Sequence, residues 1–257
     1  VGHMIAVRKF TFRQSFIRYY LNETMIVTAV KTKIFEEGDD LVSFVTKNIK
    51  TVRERTIIVI TSKIVALSEN RTERAGSDSD FEKLVKSESE YAQKTPLVWL
   101  TIKDGTVMAS AGIDKSNAFG KWILLPRDSF KVARNLRKAL SRYYKVKHLG
   151  VLITDSRLMP MRVGVTGVAL GYAGFKGVRS YIGKRDLSGR ALRFSKTNIA
   201  DSLSGAAVLT MGEGGESQPL ALVEKAPVVF TQNDPPRTEL YIDPAKDLYR
   251  PLLLNLS

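Results

Sequence analysis

Apolar residues come in short runs in this chain, and two of the runs end on an aspartate. GVLITDSRLMP (150–160) is apolar up to Asp155 and Ser156; ASAGIDKSN (109–117) carries Asp114 and Asn117 behind an alanine, a glycine and an isoleucine that can end a strand. Two hydrophobic strands brought to a stop on carboxylates reflect either ordinary turn chemistry or a polar metal–phosphate site shared by two strand ends. No run approaches the roughly 20 apolar residues that span a bilayer, so no membrane partner is expected.

The neighbouring segments set the rest of the frame. MIVTAVKTK (25–33) and TIIVITSKIV (56–65) are rich in β-branched residues and read as strands. GDDLVSFVTKNIKTV between them reads as a helix, with Asp39 or Asp40 as N-cap and Leu41, Phe44, Val45 and Ile49 on one face. SDSDFEKLVKSESEYAQK (77–94) opens on capping residues and carries a second helical pattern. LVWLTIKDGTVMASAGI turns as a hairpin at Asp104-Gly105. FKVARNLRKALSRYYKVKH (130–148) spaces Val132, Leu136 and Leu140 as one helical face, with Arg134, Arg137, Lys138 and Arg142 around the other sides. The strand LGVLITDS follows. In 162–192 glycine recurs without a fixed period, which indicates close packing and tight turns rather than a repeat. TNIADSLSGAAVLTMGEGGESQP (197–219) is a small-residue helix running into a loop at Gly212 to Gly215, with close packing expected, and a subunit interface is one place for it. The proline-rich tail is expected to wrap the surface. No linker is long enough to separate independent domains.

The available chemistry is narrow. There is no cysteine, and the only histidines are His3 and His148, so disulfides, thiolate zinc sites, cysteine nucleophiles and most Ser-His triads are excluded. A reducing cytoplasm is the expected location. His148 is given no chemistry. The net charge of +14, from 40 Lys+Arg against 26 Asp+Glu, favours anionic partners such as nucleotides, phosphorylated metabolites or nucleic acid. Gly2-His3-Met4 reads as a vector remnant, within an N-terminal extension at 1–24 that lacks the pattern of a secretory signal.

No GxxxxGK[ST] is present, and GEGG at 212–215 is too short for a dinucleotide fingerprint. Glycine-rich backbone can still cradle an anion. Asp114, Asp155 and Glu213 sit at candidate element ends; each alone is a turn former or cap, and together they are an oxygen donor set for a hard divalent ion. Ser62 can donate to a phosphate, and Lys63 is either a phosphate contact or a solvated charge. GKRDLSGR (183–190) sets basic residues around Asp186, either as a carboxylate or phosphate receptor or as a basic hairpin turn.

In this order, VITSKIVALSENR, SAGIDKSN, GVLITDS and GKRDLSGRALRFSKTNIADSLSGAAVLTMGE resemble the family of CofE, the coenzyme F-420-0:γ-glutamyl ligase, and GDDL and LLPRDS agree with it. The resemblance covers roughly residues 27–226, and the number and order of the motifs carry it. It implies an α+β fold of mixed and antiparallel sheets with packed helices, in two parts, assembled as an intertwined homodimer with the active site in a groove near the subunit contact. A ligase domain at 25–226 then lies between the extension and a tail at 227–257. The implied reaction is GTP-dependent, or ATP-dependent, attachment of L-glutamate to an acceptor carboxylate through an acyl phosphate, which requires no protein nucleophile. The acceptor is F-420-0, or a folate or other glutamyl compound.

By the same resemblance Asp114 and Asp155 are catalytic. With Ser156 and Glu213 they hold Mg²⁺ or Mn²⁺, two ions being expected. Thr61, Ser62, Lys63 and Asn117 contact the nucleotide, as do Met211, Gly212, Gly214, Gly215, Glu216, Ser217 and Gln218 of the loop. Arg162, Lys184, Arg185, Asp186 and Arg190 fall on the substrate side. The chain departs from the family in having Leu67 at a lysine position, TKIF (Thr32 to Phe35) at a nucleotide segment, and LMPMR after the second aspartate, which keeps Pro160 and Arg162. The reading from another class is a non-catalytic nucleotide- or RNA-binding protein, motivated by the charge and the 130–148 helix; nucleic acid is not the expected partner.

Overall fold

The computed structural model describes residues 24–116 and 118–253; Asn117, His3 and the extension up to residue 23 lie outside the described residues. In chain order the elements are β1 (Ile26–Val30), α1 (Leu41–Asn48), β2 (Thr56–Thr61), α2 (Ser62–Ser68), β3 (Thr72–Arg74), α3 (Asp78–Ser87), β4 (Tyr91–Lys94), β5 (Trp99–Lys103) and β6 (Thr106–Ala109). Then come β7 (Lys121–Ile123), α4 (Ser129–Tyr144), β8 (Leu149–Leu158), β9 (Val165–Ala173), β10 (Val178–Ser180), β11 (Lys196–Asn198), α5 (Ile199–Met211) and β12 (Leu220–Glu224). The fold is α+β, with one mixed sheet and smaller antiparallel ones. No helix among the described residues is long and apolar enough to cross a membrane.

The main sheet runs β1-β12-β2-β8-β9, and only β2 and β8 pair in parallel, from Thr56↔Leu149 to Thr61↔Thr154. Helices cover both faces, so the central strands are continuous apolar runs rather than alternating ones. Ile58 and Ile60 of β2 pack with Val45, Leu136 and Leu140 from α1 and α4; Ile57 and Val59 point the other way, against Leu203 and Ala207 of α5. All four β2 residues are fully buried, each contributing roughly 1.5–3 kcal/mol by leaving water. A second layer, β4-β5-β6, packs with α3 around Phe81, Val85, Trp99 and Trp122. Its hairpin turns at Asp104-Gly105, as expected, with both residues at positive φ (52° and 67°), the backbone a two-residue hairpin turn demands.

The caps read from the sequence form. The Asp40 side chain accepts from the Ser43 N–H at α1, and Ser77 and Asp80 make a reciprocal capping box at α3.

Five expectations need correction. The strand expected over 56–65 stops at Thr61, and 62–65 open helix α2. Ile64, Val65 and Ala66 are all buried, so the first helical turn carries no periodicity to distinguish it from a strand. The helix expected over 77–94 ends at Ser87; Glu88 is then tied to Arg71 and Lys103, and Tyr91–Lys94 pairs with β5. The strand carrying Asp155 does not stop there: β8 bulges between Ile153 and Thr154 and stays paired with β9 to Leu158. Asp114 ends no strand either, following a 3-10 turn at Ser110–Gly112 and meeting Ile123 in an isolated bridge. Arg137, read on the polar side of its helix, is buried: it donates to the Leu149 carbonyl and to Thr231 O, Gln232 Oε1 and Asp234 of the C-terminal segment.

Strand β9 was not read from the sequence at all, because glycine interrupts it. Both interruptions are close approaches: a Cβ at Gly167 would lie 2.2 Å from the Ser204 carbonyl oxygen of α5, and one at Gly171 2.4 Å from the Ser129 backbone at the start of α4. The close helix packing expected of the small-residue helix α5 is therefore present within the chain.

Candidate active site

The parallel pair at the centre of the sheet builds the site. Because Thr61 lies opposite Thr154, the residues that follow, Ser62 and Asp155, emerge side by side, and Ser62 Oγ donates to Asp155 Oδ1 at 2.9 Å. Lys63, one residue into α2, reaches across to Asp114, with Nζ to Oδ2 at 2.7 Å, and also donates to the Ser116 carbonyl. The Ser116 N–H donates to the other Asp114 oxygen at 2.6 Å, and two backbone hydrogen bonds to Ile123 hold Asp114 itself.

The loop after α5 closes the far wall. Glu216 folds back to accept from the Gly214 N–H, the Thr32 N–H donates to Ser217 O, and the Thr61 N–H donates to Pro219 O. The result is a cleft of about 840 Å³. Asp114, Asp155, Ser156 and Glu213 line it, as do Thr61, Ser62 and Lys63 and the loop positions Met211, Gly212, Gly214, Gly215, Glu216, Ser217 and Gln218. Leu67 and the Thr32 to Phe35 segment line it too. Every described residue expected at metal or nucleotide is thus on one surface.

The five residues expected on the substrate side are not on that surface. Arg162, Lys184, Arg185, Asp186 and Arg190 lie away from the cleft. Asp186 accepts from Ser188 and from the Arg190 N–H, and Arg185 donates to Gly189 O, so the 183–190 stretch is occupied with forming its own turn.

Burial pushes the Asp155 carboxyl up to about 6, and the charge of Asp114 adds to the rise; the Ser62 hydrogen bond, the Arg157 charge and the Ser156 N–H act in the opposite direction. A buried carboxyl made costlier to ionise by a second carboxylate, set among hydroxyls and with no thiolate or imidazole among the described lining residues, fits a hard cation with oxygen ligands. No three acidic, histidine or cysteine side chains among the described residues cluster closely enough to hold a metal by themselves. Asp114, Asp155, Ser156 and Glu213 are the oxygen donors of the cleft that could contribute to holding such an ion.

Two features were not anticipated. Glu37 lines the cleft, accepting from the Thr72 hydroxyl and pairing with Lys121; in sequence it is one member of an acidic surface-like run, EEGDD. Arg157 is buried just past Asp155, where polar sequence suggested an exposed turn.

Fold and cleft define an α+β protein with carboxylates, hydroxyls and backbone amides gathered where strand β2 ends beside the continuing strand β8. Residues 29–225 match the sequence model of the family described as F420-0:Gamma-glutamyl ligase, and the chain belongs to that family. Among curated proteins it is 32% identical to the coenzyme F420:L-glutamate ligase of Methanosarcina mazei over 77% of this chain and 84% of the relative. The proteins of the same name from Archaeoglobus fulgidus (32%; 74% and 83% covered) and Methanopyrus kandleri (30%; 83% and 92%) are similarly related. The chain is accordingly an enzyme of the amide-bond-forming ligase class.

Proposed function

We propose that this chain is a nucleotide-dependent γ-glutamyl ligase, joining the amine of L-glutamate to an acceptor carboxylate, with F-420-0 the foremost acceptor. The names of its relatives supply the glutamate and the acceptor class. The observation that supports the nucleotide is the convergence of Ser62, Lys63, Asp114, Asp155 and the 211–218 loop on one cleft.

In this reading an acceptor carboxylate oxygen attacks the γ-phosphorus of GTP or ATP, and the nucleoside diphosphate leaves. The glutamate amine then attacks the acyl carbon, the C–O bond to phosphate breaks, and the ammonium proton passes to solvent. Positioning and charge neutralisation supply most of the acceleration. Lys63 brings a positive charge to the cleft and fixes Asp114. Ser62 orients Asp155, and the 211–218 loop walls the nucleotide off from water. Asp114 and Asp155, with Ser156 and Glu213 nearby, would hold Mg²⁺ or Mn²⁺, which neutralises phosphate charge when bound.

We further read the chain as an intertwined homodimer of two-part subunits. Met161, Val163, Leu187 and Phe194 are exposed apolar side chains after β8 and between β10 and β11, which is consistent with a covering partner. Light scattering behind gel filtration tests this: a dimer mass is expected, and a monomer at micromolar concentration overturns it.

The test of the reaction is phosphate release with L-glutamate, Mg²⁺ or Mn²⁺ and GTP or ATP, against F-420-0, folates and glutamyl peptides. Release that requires F-420-0 and disappears in Asp155→Asn is expected. Absence of both nucleotide binding and turnover would sink the reading.

A further inference from the structure

A second cavity, of about 1070 Å³, lies between the β5–β6 hairpin, strand β9, the start of α5 and the C-terminal segment around Tyr241. Arg157 lines it, and this side chain is only 9% exposed. Two of its guanidinium nitrogens, Nε and Nη2, are buried and have no hydrogen-bond partner among the described residues. The nearest acids do not satisfy it. Asp155 and Asp201 act on its charge through space, but Asp155 accepts from Ser62, and Asp201 accepts from the Ala169 N–H at 2.8 Å and Asn198 Nδ2 at 2.6 Å.

A buried guanidinium without its hydrogen bonds is expensive, and it calls for a partner, whether an ordered water, an ion or a ligand. Its planar fork matches a carboxylate with two parallel N–H···O bonds, and because Nε and Nη2 are sealed from the cavity, the side chain must turn its fork toward the cavity to make them. The cavity is larger than a free amino acid needs, and Arg157 stands two residues beyond Asp155 on the same strand, one lining each cavity. We infer that this second cavity receives a glutamyl carboxylate, anchored by Arg157, and so positions a substrate of the ligation beside the nucleotide cleft. The inference rests on the ligase reading for the identity of the carboxylate. L-Glutamate and a glutamyl-ended acceptor share the recognised group.

The test is calorimetric titration of the intact protein with L-glutamate and with L-γ-glutamyl-L-glutamate, for wild type, Arg157→Met and Arg157→Lys. Fluorescent GTP and ATP analogues and a thermal melt run in parallel. Wild type is expected to bind one or both probes, and the probe that binds shows whether the amino acid or the acceptor end is held. Arg157→Met should weaken that binding at least tenfold while leaving nucleotide affinity within twofold. Its melting temperature should equal or exceed wild type, since an unpaired buried charge has been removed. Arg157→Lys should be intermediate, keeping charge without the fork. Unchanged probe binding in Arg157→Met overturns the proposal, as does failure of both probes to bind wild type. A lower melting temperature with nucleotide and probe binding lost together also overturns it, since that marks a structural arginine. The nucleotide-dependent reading fails separately, when neither the GTP analogue nor the corresponding ATP analogue binds although a glutamyl probe does.

Discussion

At the scale of single residues, Asp155 combines the highest chemical value with a real cost. Its folded pKa is raised from 3.8 to about 6, so the native state holds this proton more tightly than the unfolded chain does. The favourable contribution is complete below the unfolded value and is lost as pH rises through the folded one, between about pH 4 and pH 6. At neutral pH without a cation, the ionised group therefore costs the fold up to about 3 kcal/mol. Asp155→Asn should raise the melting temperature of the chelator-treated protein at pH 7.5, show no advantage at pH 4, and abolish turnover. Scanning fluorimetry at the two pH values checks this, and a variant less stable at pH 7.5 would contradict it. The aspartates were legible in sequence because each interrupts an apolar stretch. Arg157 was not, since a charged residue two positions past a strand's apolar end reads as surface until β9 is known to cover it.

At the scale of elements, the helices announced themselves through Asp40 and Ser77, whose side chains cap the helices they precede. Strand β9 concealed itself because α5 and α4 press on it where Gly167 and Gly171 lie, replacing the β-branched residues that mark a strand. Gly167→Ala should cost about 3 kcal/mol, the upper part of the range for overpacking, because the obstacle is helix backbone and not a flexible side chain. Urea denaturation measures it, and a loss under 1 kcal/mol would show that α5 can withdraw freely. In the second layer, partly buried Glu88 accepts from Arg71 at 2.6 Å and Lys103 at 2.7 Å, joining β5 to the end of α3. Removing it as Glu88→Gln strands two cations, for an expected loss of about 2 kcal/mol by the same denaturation. No sequence pattern pointed to this junction, because its three members come from distant segments.

At the scale of the whole molecule, the two strands of the central parallel pair were visible, one as a β-branched run and the other as an apolar one, but not their pairing or the order of the strands around them. Strand order depends on pairings such as β1 with β12, about 190 residues apart in the chain, which no local pattern specifies. The same applies to the C-terminal segment. It is pinned by Arg137, and by Glu239, which accepts from the Tyr172 hydroxyl at 2.6 Å and the Gly177 N–H at 2.8 Å. Glu239→Gln keeps the shape and removes the charge, so limited proteolysis should cut between residues 232 and 250 several times faster than in wild type while the sheet stays intact. Equal cutting rates would mean that other contacts hold the segment.

The antiparallel β1–β12 ladder, from Ile26↔Glu224 to Val30↔Leu220, also fixes how the molecule yields to force. Tension applied at Ile26 and Glu224 acts at one end of that ladder and loads its hydrogen bonds one after another, like a zip. The parallel β2–β8 pair that carries Ser62 and Asp155 lies behind it, so under load the edge strand, and then the Thr32 to Phe35 wall of the cleft that follows it, come away before the Ser62–Asp155 contact is reached.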